Sequence, residues 1–317
     1  MNYKVSILIP IYNAEKVIER CLRSVFEQTM NDIEYVLVND CSRDNSYELC
    51  QAIINQYPQR RPHVTLLSNE TNQGIAIVRE TLVNHAHGEY IYFVDSDDWI
   101  EHEAAEIMYT KALEKEADVV GSNIFINTKT EQSTVTFNYP ENNDECLNEF
   151  LRMNIKPVVW IFIFKRALFS THNITFVRNI NGVEDYIVGA KLLFHANKVA
   201  HVNKSIYHYT IGDNYYTPHS ENYFNIMGQA IVEAEQYLRK HGDITHYHSA
   251  LTDRKLIFKS KYLFENLTLD DKKYYETFPE ANYSLRKFKL FSFKQSLIMV
   301  FAELRFHWIF ILFRKFR

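Results

Sequence analysis

The chain has 317 residues, 46% of them hydrophobic, and a formal net charge of -4, which suits a globular core and excludes a bulk nucleic-acid binder. Only 8 glycines occur, which disfavours a glycine-rich phosphate loop. Cys21, Cys41, Cys50 and Cys146 show no CxxC spacing and read as free buried thiols, and no charged leader precedes the first apolar run; both features point to a reducing cytoplasm.

Lys4 to Ile9 (KVSILI) predicts a buried strand closed by Pro10. Asn13 is placed to cap a helix whose apolar residues Val17, Ile18, Cys21, Leu22, Val25 and Phe26 recur at helical spacing. EYVLV (34–38) predicts a second strand, running into the polar loop NDCSRDNS. A helix through Tyr47 to Ile54, a strand at HVTLL, a helix from Gly74 ended by Gly88, and the strand YIYFV follow in turn. This alternation implies parallel strands with both sheet faces covered, and ligands beyond the carboxyl ends of the strands. Asp40 and the trio Asp95, Asp97 and Asp98 stand just past such ends.

After residue 120 the alternation weakens. ADVVGSNIFI and STVTFNY predict strands, VVWIFIFKRALF a strand running into a helix, and VEDYIVGAKLLFHA a helix. From 221 onward the chain reads as mostly helical and aromatic-rich. No repeat or low-complexity linker marks a boundary.

The acidic trio follows an apolar strand and precedes Trp99, a half-buried setting in which uncompensated charge is expensive. A solvated turn is the plainer reading. A divalent cation shared with substrate phosphates is the chemical one, and oxygen-only ligands with open positions suit Mg²⁺ or Mn²⁺.

Five blocks settle the direction: VSILIPIYNAE (Val5 to Glu15), VNDCSRDNS (Val38 to Ser46), NQGIAIVR (Asn72 to Arg79), FVDSDDW (Phe93 to Trp99) and VEDYIVG (Val183 to Gly189). In order and spacing the chain resembles the family 2 glycosyltransferases of the GT-A fold, over roughly its first two thirds. The resemblance implies an α/β, Rossmann-like domain over residues 1–220, with a mostly parallel sheet flanked by helices. Its nucleotide-sugar half would run to about residue 120 and its acceptor half from there to 220. A helical C-terminal region would occupy 221–317.

The implied activity is inverting and metal-dependent. A hexose or N-acetylhexosamine would move from a UDP-sugar to a hydroxyl of a growing bacterial surface glycan, such as lipooligosaccharide or capsule. Pro10 and Tyr12 would line the nucleotide base, with the Tyr12 ring stacked on uracil, and Asp40 would accept the uracil imide N–H. Arg79 would stand near the base or diphosphate, unless it is a helix-surface ion pair. Asn72 and Gly74 would shape a turn. Asp95 and Ser96 would approach the donor, while Asp97 and Asp95 would hold Mn²⁺ or Mg²⁺, with His208 as a further ligand. Asp98 would cap a following helix or orient its neighbours.

Asp185 would be the base that takes the acceptor proton, and Glu184 would hold an acceptor hydroxyl or support the site. Their plainer reading is two acids in a helix's first turn. Trp160, ahead of Lys165 and Arg166, would offer a face to an acceptor sugar or pack in the core. Thr210 and Gly212 stand where the family more often has basic residues. His85, His87, His246 and His248 read as surface residues.

Two enzyme classes are set aside by what the chain lacks. No GxGxxG occurs, which excludes a dehydrogenase, and PIYNAEK is not the basic glycine-rich loop of a sugar nucleotidyltransferase. A catalytically inactive nucleotide-sugar-binding partner in a glycan assembly complex is the non-enzymatic alternative.

The C-terminus from Ser296 to Arg317 is too interrupted to span a bilayer comfortably. On a helical wheel Ser296, Glu303, His307 and Arg314 form one narrow polar stripe, and basic residues from Arg286 onward flank the segment. That fits a helix lying on an anionic leaflet with Trp308 near the interface. The chain would then sit peripherally on the inner face of the cell membrane, beside a lipid-linked glycan acceptor. A core-packed terminal helix or a dimer seam is the alternative.

Overall fold

The computed structural model describes residues 3–178, 180, 182–211, 221–264 and 271–305. Its first half is β1 (Val5–Ile11), α1 (Ile18–Phe26), β2 (Ile33–Asn39), α2 (Ser46–Gln56), β3 (Val64–Ser68), α3 (Ile75–Asn84) and β4 (Tyr90–Phe93). Then come β5 (Trp99–Ile100), α4 (Ala104–Lys115), β6 (Val119–Asn127), β7 (Gln132–Val135), α5 (Asn143–Arg152), β8 (Phe162–Lys165) and α6 (Ala167–Thr171). The remainder is α7 (Glu184–His195), β9 (Val199–Thr210), α8 (Glu221–His241), α9 (His248–Phe264), α10 (Asp271–Glu276) and α11 (Phe293–Glu303).

β1 and β2 are buried along their whole length, as strands covered by helices on both faces must be. They form the parallel run β3-β2-β1-β4. β8 joins β4 antiparallel, β6 follows, and β9 lies parallel to β6 in a long ladder, with β5 on its far side. The sheet reverses order around β1, since β2 lies on one side of it and β4 on the other. A crevice opens at such a point beyond the strand ends.

Several local expectations change for physical reasons. β1 continues through Pro10 to Ile11, because Pro10 lies past the end of β4, where no ladder N–H is needed from it. Asn13 does not cap α1. It takes a left-handed φ of 49° and its Oδ1 accepts from the Arg43 amide (2.8 Å), tying the β1 loop to the β2 loop. Segments 104–115 and 143–152 are helices and 199–210 is a strand, all three left unassigned by periodicity.

Within β2, Glu34 is 5% exposed yet satisfied, accepting from Ser6 Oγ (2.5 Å), the Gly88 amide (2.8 Å) and the His87 amide. Gly88 is fixed here by space, because a Cβ would lie 2.6 Å from the Ser6 amide nitrogen. Cys21, Cys50 and Cys146 are buried as expected, whereas Cys41 is only half-buried; all four are free.

The C-terminal helices pack on the acceptor half through Arg152 to Asp253 (3.1 Å), His195 to Tyr237 (2.9 Å) and Tyr247 to Asp144. The expected boundary near residue 220 lies outside the described residues. No helix among the described residues is long and apolar enough to cross a membrane.

The expected polar stripe of the C-terminal helix points inward. Ser296 is buried, and Glu303 accepts from Tyr274 Oη and the Tyr283 amide, both at 2.9 Å. His307, Trp308 and Arg314 lie outside the described residues.

Candidate active site

Arg79 organises the crevice. It sits on the inner face of α3 with Ala76 and Leu82, and only 4% of it is exposed. Its guanidinium reaches Asp95 Oδ1 (3.2 Å) past β4, and Glu184 Oε1 (3.2 Å) and Asp185 Oδ1 at the start of α7. Burial opposes the Arg79 charge, but Asp95 and Glu184 outweigh it and raise its pKa. The surface ion pair considered for Arg79 is therefore replaced by a buried one that joins Asp95 to the Glu184–Asp185 pair. The Arg79 Nε has no hydrogen-bond partner among the described residues.

Glu184 and Asp185 are almost fully buried. Glu184 Oε2 accepts from the Gly182 amide (2.6 Å), and Asp185 Oδ2 accepts from the Val159 amide (3.1 Å). These donors hold both carboxylates in fixed orientation.

Each member of the acidic trio has a different environment. Asp98 is 1% exposed, and its oxygens accept from Tyr207 Oη and the Thr210 amide, both at 2.8 Å. Burial first, then the charges of Asp97 and Asp95, push its carboxyl well above the usual range. No helix follows it directly, so it orients the loop against β9 rather than capping. Asp95 is half-buried; its amide donates to Tyr207 Oη (3.1 Å) and its carbonyl accepts from Cys21 Sγ. Arg20 donates to the Asp97 carbonyl (3.0 Å) and Thr210 Oγ1 (3.1 Å), which fixes the backbone of the loop. Ser96 lies half-buried between them.

Asp40 is buried at the β2 terminus. Its Oδ1 accepts from Asn69 Nδ2 (2.7 Å) and the Gln73 amide (2.8 Å), and its Oδ2 from the Gly74 amide (2.9 Å). Of about four lone-pair positions on a carboxylate, three are thus used to hold the turn before α3. Gly74 makes that turn with φ of 84°, a conformation that favours glycine. Pro10 is buried at the strand end, and Tyr12 beyond it is 46% exposed, with its ring accessible.

The polar contacts of His208 go elsewhere than to Asp95 and Asp97. Its Nε2 meets Glu101 Oε1 at 2.7 Å and its Nδ1 faces Asn127 Nδ2 at 3.5 Å, while its ring stacks between Trp99 and Phe125. Burial keeps it below the usual histidine range despite Glu101, so both nitrogens of the neutral ring are engaged. Trp160 is a core residue, 3% exposed and stacked on Tyr207 and Tyr209. Lys165 pairs with Asp118 and Arg166 donates to the Gly88 carbonyl, so both serve the sheet rather than the crevice. His85, His87, His246 and His248 are exposed.

One cation was not anticipated. Lys156 lies over the Tyr209 ring (3.5 Å to the centroid) and near Trp160 (4.7 Å), and no carboxylate among the described residues pairs with it. Burial lowers its pKa to about 8 against the pull of Asp98 and Asp95. Its signal in the sequence was weak: a lone lysine before Pro157, four residues ahead of Trp160.

Residues 6–173 match the profile described as Glycosyl transferase family 2. The chain belongs to this family. Among curated relatives of this family 2 chain, glycosyltransferase GlyA of Streptococcus pneumoniae serotype 4 is 32% identical over 221 residues, which is 66% of this chain and 30% of the relative. Two further relatives are covered over 60% and 61% of their length, so the chain spans only part of the proteins it matches. Among solved structures, S. aureus TarS 1-349 in complex with UDP-GlcNAc superposes with a TM-score of 0.72 at 21% identity, covering 95% of this chain and 87% of that one. The mannosyltransferase PcManGT of Pyrobaculum calidifontis, in complex with GDP-Man and Mn²⁺, gives 0.59 at 16%, covering 97% and 88%. These likenesses establish the fold.

Proposed function

We propose that the chain is an inverting glycosyltransferase that moves a hexose or N-acetylhexosamine from a UDP-sugar to a hydroxyl of a growing bacterial surface glycan. The observation that carries this reading is the Arg79 bridge, which sets the donor-side carboxylate Asp95 and the acceptor-side carboxylate Asp185 on one guanidinium. A donor bound past β1 and β4 would then present its anomeric carbon between the two.

Pro10 and the exposed Tyr12 ring line the base, and the remaining lone pair of Asp40 receives the uracil imide. Asp185 takes the acceptor proton as that oxygen attacks. The Arg79 guanidinium on one oxygen and the Val159 amide on the other aim it. Glu184 supports Arg79 and Gly182. Ser96 flanks the sugar.

A divalent ion fits the donor set in one way. The described residues contain no group of three metal-ligating side chains, so Asp95 and Asp97 would hold Mn²⁺ or Mg²⁺ with phosphate oxygens completing the shell. Such an ion supplies charge neutralisation of the departing diphosphate. One structural neighbour in complex with UDP-GlcNAc and another in complex with GDP-Man and Mn²⁺ support this assignment. The acceptor is a glycan or lipid-linked glycan, met at the inner face of the cell membrane.

Lys156 adds a cation for the anionic donor. Its ammonium form prevails below about pH 8, so its contribution to donor binding is present there and fades as pH rises through that value. Lys156→Met is expected to raise the donor KM by about tenfold or more at pH 7 and to flatten its rise between pH 7 and 9, read by steady-state kinetics. A panel of UDP-sugars with Mn²⁺ tests the whole reading: one donor should release UDP, and release from none would overturn it.

A further inference from the structure

The C-terminal region carries an apolar surface that the fold leaves uncovered. The 3₁₀ turn Leu285–Leu290 exposes Leu285 (77%) and Phe288 (43%), and α11 exposes Phe293 (74%), Leu297 (40%) and, just past its end, Leu304 (57%). Phe293, Leu297 and Leu304 recur at spacings of four and seven, on one face of the helix. The Phe288 and Phe293 rings lie 6.3 Å apart, which joins turn and helix into one patch. The opposite face of α11, through Ser296, Met299 and Ala302, is buried on the protein.

The exposed charge along this segment is basic. Arg286, Lys289, Lys294 and Arg305 are exposed beside it. Lys287 is turned to Asp253, and the one acid of the segment, Glu303, is used inside by Tyr274 and Tyr283. Residues 306–317, outside the described residues, continue in the same composition: FHWIFILFRKFR has four basic or titratable side chains beyond its apolar ones and no acid. A soluble protein partner would require a matching acidic apolar face. An anionic lipid leaflet matches both features without one, because its headgroups meet the cations while acyl chains take the apolar side chains.

We infer that the outward face of the 285–305 segment docks on an anionic bilayer with Phe288, Phe293, Leu297 and Leu304 inserted at the headgroup boundary. This rests on the inner-membrane reading above and adds its mode: insertion of an apolar face, flanked by lysines and arginines, rather than attraction of a basic tail alone. Ser296, Ile298, Met299 and Ala302 hold α11 to the protein, which leaves a second apolar row, Phe293 and Leu297, facing out.

Sedimentation of the full chain with vesicles of phosphatidylglycerol and phosphatidylcholine, or of phosphatidylcholine alone, tests this. Wild type should sediment with the anionic vesicles, and part of it should stay bound at high salt. The variant Phe293→Ser/Leu297→Ser should lose about tenfold or more in affinity, with its UDP release and thermal unfolding unchanged because both residues are exposed. Lys289→Glu/Lys294→Glu should weaken binding chiefly at low salt. If the serine variant binds like wild type while the charge variant fails, insertion is wrong and binding is by charge alone. If wild type ignores anionic vesicles, both fall. A dimer that the serine substitutions dissociate would make a second copy of this chain the occupant and overturn the inference.

Discussion

Asp185→Asn should reduce sugar transfer by about 10²–10⁴-fold while leaving UDP affinity nearly unchanged. Asp185 receives the Arg79 guanidinium on one oxygen and the Val159 amide on the other. An asparagine there can accept from one of these donors, and its own N–H₂ group must face the other. The substitution therefore also costs about 1–3 kcal/mol of stability, the penalty of a mismatched buried donor. Arg79 keeps Asp95 and Glu184 as partners, so the fold and the nucleotide side survive. Single-turnover rates and UDP titration on the same preparation separate the two effects. Near-normal turnover would remove Asp185 from its role.

Arg79→Met is expected to act differently, on the site and the fold together. It leaves Asp95, Glu184 and Asp185 converging on an apolar side chain, and breaking a buried ion pair from one side costs about 3–5 kcal/mol. The melting temperature should fall by several degrees, and activity should be lost. Adding Glu184→Gln should recover part of the stability, because it removes one of the stranded charges, without recovering activity. A double variant no more stable than Arg79→Met would show that the carboxylates do not depend on this counterion.

The parallel half of the sheet is legible from sequence because β1, β2 and β4 are mostly apolar and end in turn residues. The acceptor half is less so. β9 mixes apolar residues with His201, Asn203, Lys204 and His208, and His208 is buried by partners that only the tertiary fold supplies, Glu101 and Asn127. Missing that strand hid Tyr207 and Thr210, which hold the acidic loop in place.

Arg79 is the instructive case. Ala76, Arg79 and Leu82 share a helical face, so its position on the buried stripe could be read from spacing. Its partners could not, since one comes from the loop past β4 and two from the start of α7, more than a hundred residues on. The same limit inverted the C-terminal helix: a polar stripe reads as solvent-facing until Tyr274 and Tyr283 are seen to claim Glu303. His208 likewise has ligand chemistry but spends it on Glu101 and Asn127.

Calorimetric titration of UDP into the full chain, with MnCl₂ and then with EDTA, tests most directly whether Asp95 and Asp97 share a cation with the donor diphosphate. Tight binding with manganese, weakened at least about tenfold by EDTA and by Asp97→Asn, is the predicted result. Equal affinity in EDTA, or an Asp97→Asn variant that binds as wild type does, would contradict it.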